Sequence, residues 1–416
     1  MIIKLLRAAR QCLLPAMGLV APVVIQSQNL PSLLLNKNIN STFSILAYDS
    51  TNQEWGIAVA TNNICVGNST IYIRPGVGAF SVIAETNPDY AIHGFEQLQQ
   101  GASIQEAIEG TKNEDPDWYD RQVSGIDAKG NVYAFTGAAL KYWMGASNHY
   151  LGKGFVVMGN QLAEGVLVSM RKAYENTKGS LAERLLKSLV AGQHAGGQIT
   201  GKQSAALAVK GLNNEWFNQI DLRVDNSKTP FEDLQRLLSY QYGRVKLNQA
   251  IFALKMKNQQ KGRELLRQAV GMVEGWNGLY SKIAMAYILS GDEHEAVRVI
   301  QKAIKENSLW KENLPAFYYL RHYPEISRLI HPDLFSLKDW CNAIEFMTEV
   351  NQDQEAIELA GTILKKYPSS SFLYFLLGKG YSNKGDKSAA SGSLVQALKL
   401  DRENAEAKAL FDKINQ

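Results

Sequence analysis

The second half of the chain carries a regular spacing that restricts how it can fold. When repeats of 34 residues are written from positions 243, 277, 337 and 371, two positions in each repeat hold small residues almost throughout. The first set is Ala269, Ala303 and Ala397, with Ile363 as the exception, and the second is Gly262, Ala296, Ala356 and Ala390. Small residues at fixed spacing let two helices approach closely, so the pattern predicts stacked antiparallel helix pairs.

Other residues at matching positions give these repeats a known character. Tyr287 and Tyr381 share one position, and Gly291 and Gly385 begin the same inter-helix turn. The segment resembles tetratricopeptide repeats, which implies an all-α solenoid over residues 243–416 and a protein or peptide partner held in its concave groove. Residues 311–336, rich in proline and aromatic residues, interrupt the period. A generic bundle of α-hairpins is the alternative.

The N-terminal residues differ from the rest of the chain. Lys4, Arg7 and Arg10 come before an apolar stretch over residues 12–25 that is too short to span a bilayer. This pattern predicts a signal peptide over residues 1–25, followed by a polar linker over residues 26–41. It implies export to the periplasm or the medium, with no stable membrane span after signal removal. An N-terminal anchor helix is the alternative.

Strand and helix signals alternate in groups over residues 42–242. Alternating apolar residues predict strands from Thr42 onward, and hairpin and strand signals recur up to Val224. Capping boxes at Ser103 and Ser180, and a Thr229-Pro-Phe-Glu sequence, mark three helix starts. Strands in antiparallel runs separated by helix pairs predict an α+β fold, an αββα sandwich of two antiparallel sheets.

Composition excludes several classes of function. The net charge of +4 is not concentrated in a basic block, so no nucleic-acid partner is expected. The six histidines and three cysteines show no metal-ligand spacing, and we expect neither a metal nor a cofactor. Cys65 and Cys341 fall in different predicted domains and indicate no disulfide framework.

Ordered sequence matches over residues 42–243 give the first domain a family resemblance. The matching stretches are Thr42-Phe-Ser-Ile-Leu-Ala47, Trp55-Gly-Ile-Ala-Val-Ala60, Gly76-Val-Gly-Ala79, Gly159-Asn160-Gln-Leu162, Ala195-Gly-Gly197, Gln203-Ser-Ala-Ala-Leu207 and Asp221-Leu-Arg-Val-Asp225. They resemble the domain-of-unknown-function 1028 family, grouped with the Ntn-hydrolase-like superfamily. The chain departs from the family pattern at Gln161, Gln198 and Lys202, which weakens any role for the two glutamines.

The superfamily resemblance implies an N-terminal nucleophile, and Thr42 is the candidate because it begins the domain. Such a residue uses its own α-amino group as the general base, which requires the Ser41–Thr42 bond to be cut. Ser44, on the same strand face, is the reserve. The alternative is that Thr42 is only a strand residue.

The other two candidate catalytic residues are Asn160, which follows a strand and suits an oxyanion donor, and Ser204, which follows a glycine-rich loop. An asparagine in a turn and a loop of tight turns are their ordinary readings.

The sequence is compatible with two functions. The first is an exported amide- or peptide-bond hydrolase acting through Thr42, with repeats that bind a partner. The second is a non-catalytic protein in which the sandwich binds a small ligand and the repeats mediate assembly. Homo-oligomerisation is compatible with either function.

Overall fold

The computed structural model describes residues 41–214, 218–311 and 335–415. The chain divides into two compact units that part between Leu238 and Ser239. The predicted signal peptide, nearly all of the predicted linker, and most of the irregular segment at 311–336 lie outside the described residues.

The first unit contains two antiparallel sheets. The six-stranded sheet has the order β10-β9-β2-β1-β8-β7, and the four-stranded sheet has the order β3-β4-β5-β6. The strands are β1 Thr42–Asp49, β2 Glu54–Thr61, β3 Ile71–Arg74, β4 Gly78–Ala84, β5 Arg121–Asp127, β6 Val132–Thr136, β7 Ala146–Gly152, β8 Phe155–Leu162, β9 Ser204–Gly211 and β10 Ile220–Val224.

Helices cover the outer face of each sheet. α1 (Asp89–Gln99) and α2 (Ile104–Glu114) pack on the four-stranded sheet, while α3 (Val166–Asn176) and α4 (Leu181–His194) pack on the six-stranded sheet. A dry cluster that includes Leu46, Ile57 and Ile126 lies between the sheets. The predicted αββα sandwich of two antiparallel sheets is therefore confirmed.

The sequence pattern of β1 decides which side chains enter the space between the sheets. Successive residues of a strand point to opposite faces. Phe43 faces the helices, where it stacks on Phe231 with ring centroids 6.1 Å apart. The Ser44 hydroxyl accepts a hydrogen bond from Ser81 in the opposite sheet, at 3.0 Å. Thr42 shares the face of Ser44 and therefore also lies on the inter-sheet side.

The helix starts follow local hydrogen bonds. Ser103 and Ser180 both form complete capping boxes, with Glu106 and Glu183 as predicted. The third predicted start is also at the expected place, since α5 runs over Pro230–Lys255. The cap of this helix differs from the prediction, since the Thr229 hydroxyl donates to Asp233 rather than pairing with Glu232.

The second unit consists of helices, with no strand among its described residues. After α5, which enters this unit, the helices are α6 Gln259–Met272, α7 Tyr280–Leu289, α8 Glu293–Glu306, α9 Leu337–Glu349, α10 Asp353–Leu364, α11 Ser371–Asn383, α12 Lys387–Leu400 and α13 Ala405–Asn415. Consecutive helices pack as the pairs α7–α8, α9–α10 and α11–α12. The small residues that defined the period are buried, as close helix packing requires.

Candidate active site

Thr42 lies where β1 begins, at one end of the space between the sheets. Its side chain is buried, with 6% of the residue exposed. It lines a cavity of about 300 Å³ together with Thr61, Asn63, Glu85 and Trp143. Ligand pockets commonly fall between about 300 and 1,000 Å³, so this cavity suits a group of the size of one amino-acid residue.

The peptide bond between Ser41 and Thr42 is held by side chains from distant parts of the chain. The Ser41 carbonyl oxygen accepts hydrogen bonds from the Thr61 hydroxyl at 2.7 Å and from the Gln198 side-chain amide. The hydroxyl oxygens of Thr42 and Thr61 are 3.0 Å apart. A hydroxyl group has only one hydrogen, and that of Thr61 goes to Ser41. Thr42 is therefore the donor to Thr61.

Asn160 holds the nitrogen of Thr42 rather than an oxygen. The Thr42 N–H donates to Oδ1 of Asn160 at 2.9 Å, and the Asn160 side-chain nitrogen donates to Oε1 of Gln122 at 3.2 Å. Both amides are completely buried. The oxyanion role expected for Asn160 is not what this geometry offers, because the donors at the carbonyl oxygen are Thr61 and Gln198.

Gln122 fixes the direction of the Asn160 amide. Its side-chain nitrogen faces three acceptors, the carbonyls of Gly159 and Asn148 and the Thr136 hydroxyl, at distances of 2.9–3.1 Å. Its oxygen must therefore point to the Asn160 nitrogen, which turns the Asn160 oxygen toward Thr42. The chain of bonds continues from Thr136 to Nδ1 of His149 at 2.9 Å. Burial lowers the pKa of His149 below its usual range, which favours the neutral ring.

Ser204 lies at the same end of the sheet but does a different job. It pairs with Thr61 in the strand register, and Thr61 in turn pairs with Thr42. Its hydroxyl donates to the Asn63 carbonyl at 2.7 Å and accepts from the Val66 N–H at 3.0 Å. Both of these bonds fasten the loop after β2. The structure therefore brings Thr42 and Asn160 into contact. Ser204 instead stabilises the loop after β2, which forms part of the cavity wall.

Two residues with unusual backbone geometry flank the site. Ala84 has φ +68° and lines the cavity, and Gln161, which follows Asn160, has φ +51°. A non-glycine residue in this left-handed region costs about 1–3 kcal/mol and persists only where its surroundings hold it. Such positions cluster at functional sites, which agrees with a site at this end of the sandwich.

Sequence reasoning did not identify three of the side chains around Thr42. Gln122, Gln198 and Thr61 were not among the candidates, and Gln198 was discounted because the family pattern has an acid there. In this chain Gln198 is buried and supplies a donor that a carboxylate lacks. Thr61 could have been found from the register of the first hairpin, which places it opposite Thr42.

The described residues show neither a metal-ligand cluster nor a membrane-spanning helix. No group of three or more His, Cys, Asp or Glu side chains there is arranged to hold a metal ion. None of the described helices is long and apolar enough to cross a bilayer.

The fold and the site define the class: an αββα sandwich with a threonine at the opening between its sheets, joined to a helical-repeat unit. Residues 42–234 match the model of a family of unknown function, DUF1028, and residues 278–308 match a tetratricopeptide-repeat model. The resemblance to the domain-of-unknown-function 1028 family and to tetratricopeptide repeats is thus confirmed. The tetratricopeptide match indicates protein–protein interaction for the second unit.

Three of the solved structures that match the chain each cover less than half of it. A DUF1028 protein from Silicibacter pomeroyi is 27% identical, covering 48% of this chain and 84% of its own, with a TM-score of 0.44. MamA from Desulfovibrio magneticus is 14% identical, covering 42% of this chain and 83% of its own, with a TM-score of 0.20. YrrB, a tetratricopeptide protein with an unusual peptide-binding site, is 11% identical, covering 44% and 77%, also with a TM-score of 0.20. No curated protein matches the chain.

Proposed function

We propose that the first unit is an amidohydrolase whose nucleophile, Thr42, becomes active when the Ser41–Thr42 bond is cut. One observation carries the proposal. The Ser41 carbonyl is held by Thr61 and Gln198, while the Thr42 hydroxyl donates to that same Thr61. The nucleophile and the donors that would polarise its target are thus gathered around a single peptide bond.

The contacts support cleavage of this bond by the chain itself. The Thr42 hydroxyl oxygen attacks the Ser41 carbonyl carbon, and Thr61 and Gln198 stabilise the negative charge that develops on the carbonyl oxygen. The hydroxyl proton passes through Thr61 to that oxygen and then to the Thr42 nitrogen as the C–N bond breaks. The product is an ester between Ser41 and Thr42, which water hydrolyses to leave a free α-amino group on Thr42.

The freed amino group then serves as the general base for substrate cleavage. A free α-amino group titrates at about 7.7–8.0, near physiological pH, whereas a peptide nitrogen cannot accept a proton. Asn160 accepts one hydrogen of the amine, which leaves the nitrogen lone pair for the Thr42 hydroxyl proton. The hydroxyl oxygen attacks the substrate amide, the amine product leaves with that proton, and water releases the acyl group.

The proposal includes the location of the protein and the role of its repeats. The basic start and apolar stretch of residues 1–25 support export to the periplasm or the medium. The helical repeats would then hold a protein or peptide partner of the hydrolase.

The direct test is amide turnover by a chain that begins at Thr42, produced by removing a tag that ends immediately before this residue. We expect hydrolysis of aminoacyl p-nitroanilides by this protein, retention of part of the rate in Thr42→Ser, and its loss in Thr42→Ala. Ser44→Ala is the matched control, since the Ser44 hydroxyl accepts from Ser81 in the opposite sheet and contacts no other side chain by a hydrogen bond among the described residues. Undiminished turnover in Thr42→Ala, or no turnover of any amide by the parent protein, would leave the non-catalytic ligand-binding function as the better account.

A further inference from the structure

The cavity beside Thr42 has an unbalanced charge. Of the described residues that line it, Glu85 alone is charged, and the others are hydroxyl, thiol, amide and apolar residues. Glu85 is half-buried, and nowhere in the described parts of the chain does its carboxylate find a hydrogen-bond or ion-pair partner. A partly buried carboxylate that lacks a partner within the protein is available to a ligand of opposite charge.

The backbone of Glu85 is fixed from both sides. It follows Ala84, whose left-handed conformation ends β4. The Glu85 N–H donates to the Asp120 carbonyl at 3.2 Å, and the Glu85 carbonyl accepts from the Arg121 guanidinium at 3.2 Å. These bonds hold Glu85 at the cavity wall without using its side chain.

Arg121 is the nearby cation that would otherwise neutralise Glu85, but its charge is already balanced. Its guanidinium donates to both oxygens of Asp115, at 2.9 and 3.2 Å, and approaches Asp117 at 3.8 Å. The hydrogen bond to Asp115 raises the pKa of Arg121, as expected for a bound ion pair. Within the described segments, the charge of Glu85 is therefore left without a counter-ion.

Trp143 adds a second element that suits a cation. This residue lines the same cavity and is half-buried. The face of an indole ring attracts ammonium and guanidinium groups. We propose that this cavity is a subsite for a positively charged group on a single residue-sized segment, which it holds beside Thr42 with Glu85 as the counter-ion. The proposal rests on the proposed function only in taking that segment to be part of the substrate.

The test measures binding rather than turnover. Isothermal titration of the full chain carrying Thr42→Ala would compare Nα-acetyl-lysinamide, Nα-acetyl-norleucinamide and the α-amide of Nα-acetylglutamic acid, whose side chains are positive, neutral and negative. We expect the lysine compound to bind at least about tenfold more tightly than the norleucine compound, equivalent to about 1.4 kcal/mol. The glutamate compound should bind most weakly. Glu85→Gln should bring the lysine and norleucine compounds to similar affinity.

Glu96→Gln is the matched control, because Glu96 is an exposed acid on α1 away from the cavity. It should keep the preference for lysine in full. Equal binding of the lysine and norleucine compounds by the parent chain, or a preference that survives Glu85→Gln, would overturn the proposal. Because the titration measures binding rather than turnover, a preference for lysine stands even if Thr42 proves not to be a nucleophile. If Thr42 is catalytic but the protein hydrolyses charged and neutral amides at equal rates, the charged subsite alone is contradicted.

Discussion

Thr61 shows how single residues divide the work at this site. Its one hydroxyl hydrogen is directed at the Ser41 carbonyl, and this leaves its oxygen to accept from Thr42. Ser204 pairs with Thr61 on the neighbouring strand β9, and its hydroxyl is hydrogen-bonded to the loop after β2 instead. Thr42, Thr61 and Ser204 thus lie side by side in one sheet but differ in their hydrogen-bond partners, and therefore in their roles.

Gln198 gives the sharpest prediction at the residue scale. Gln198→Leu keeps a similar volume but removes the donor to the Ser41 carbonyl. Loss of one oxyanion donor typically costs about 10²–10³ in rate. We expect cleavage of the Ser41–Thr42 bond to slow by about 100-fold. The measurement is the intact mass of purified full-length protein, recorded over time.

Gln203 supplies the control for that measurement. It is a nearby glutamine whose side chain bonds Asn226 at the surface, so Gln203→Leu should cleave at the parent rate. Equal rates for Gln198→Leu and the parent would show that the Gln198 contact does not act in cleavage.

The site residues differ in how far they could be predicted from the sequence. Thr42 was predicted because it begins the family's domain, and Asn160 because a strand was expected to end just before it. In the structure β8 continues to Leu162, so Asn160 lies within the strand and not in a turn. Gln198 meets Ser41 across 157 positions, and Gln122 meets Asn160 across 38. Such contacts depend on how two sheets pack and on the register of their strands, neither of which a local pattern contains.

Among the elements, those with side-chain caps were located best. The starts of α2 and α4 were predicted because Ser103 and Ser180 satisfy backbone N–H groups locally. The starts of α1 and α3 were not located, and both begin without a side-chain cap, after Pro88 and Gly165. Strand β7 was also missed, because this edge strand has no buried residue and shows no apolar alternation.

The helix pair α11–α12 allows a test of the small-residue rule. Gly378 and Gly392 both lie inside helices, where alanine is favoured by up to about 1 kcal/mol. A methyl group added at Gly378 would lie 2.8 Å from Leu394 Cγ and 3.3 Å from the Ala390 carbonyl, whereas at Gly392 it meets open space. Gly392→Ala should therefore stabilise the repeats, while Gly378→Ala should destabilise them by about 1 kcal/mol, since overpacking costs about 1–3 kcal/mol.

Denaturant unfolding of the full chain, followed by far-ultraviolet circular dichroism, compares the two variants under identical conditions. A stabilising effect at both positions would mean that close approach of α11 and α12 does not require a small residue at 378.

At the scale of the whole molecule, the chain contains two units that are stabilised by different kinds of contact. The sandwich is held by strand pairing between residues far apart in sequence, and its candidate site forms where the two sheets open. The repeats are held by contacts between neighbouring helices, which is why their spacing alone predicted them. A hydrolase and a partner-binding array are combined in the function that we propose.

The mature N-terminus in the native host tests the central claim most directly. N-terminal sequencing and intact mass of the protein recovered from the host should show a chain that begins at Thr42, because only then does the α-amino group lie beside the Thr42 hydroxyl. Thr42→Ala should accumulate as a longer chain that begins near Gln26, at the predicted signal cleavage. An active wild-type protein that begins near Gln26, with the Ser41–Thr42 bond intact, would contradict the account.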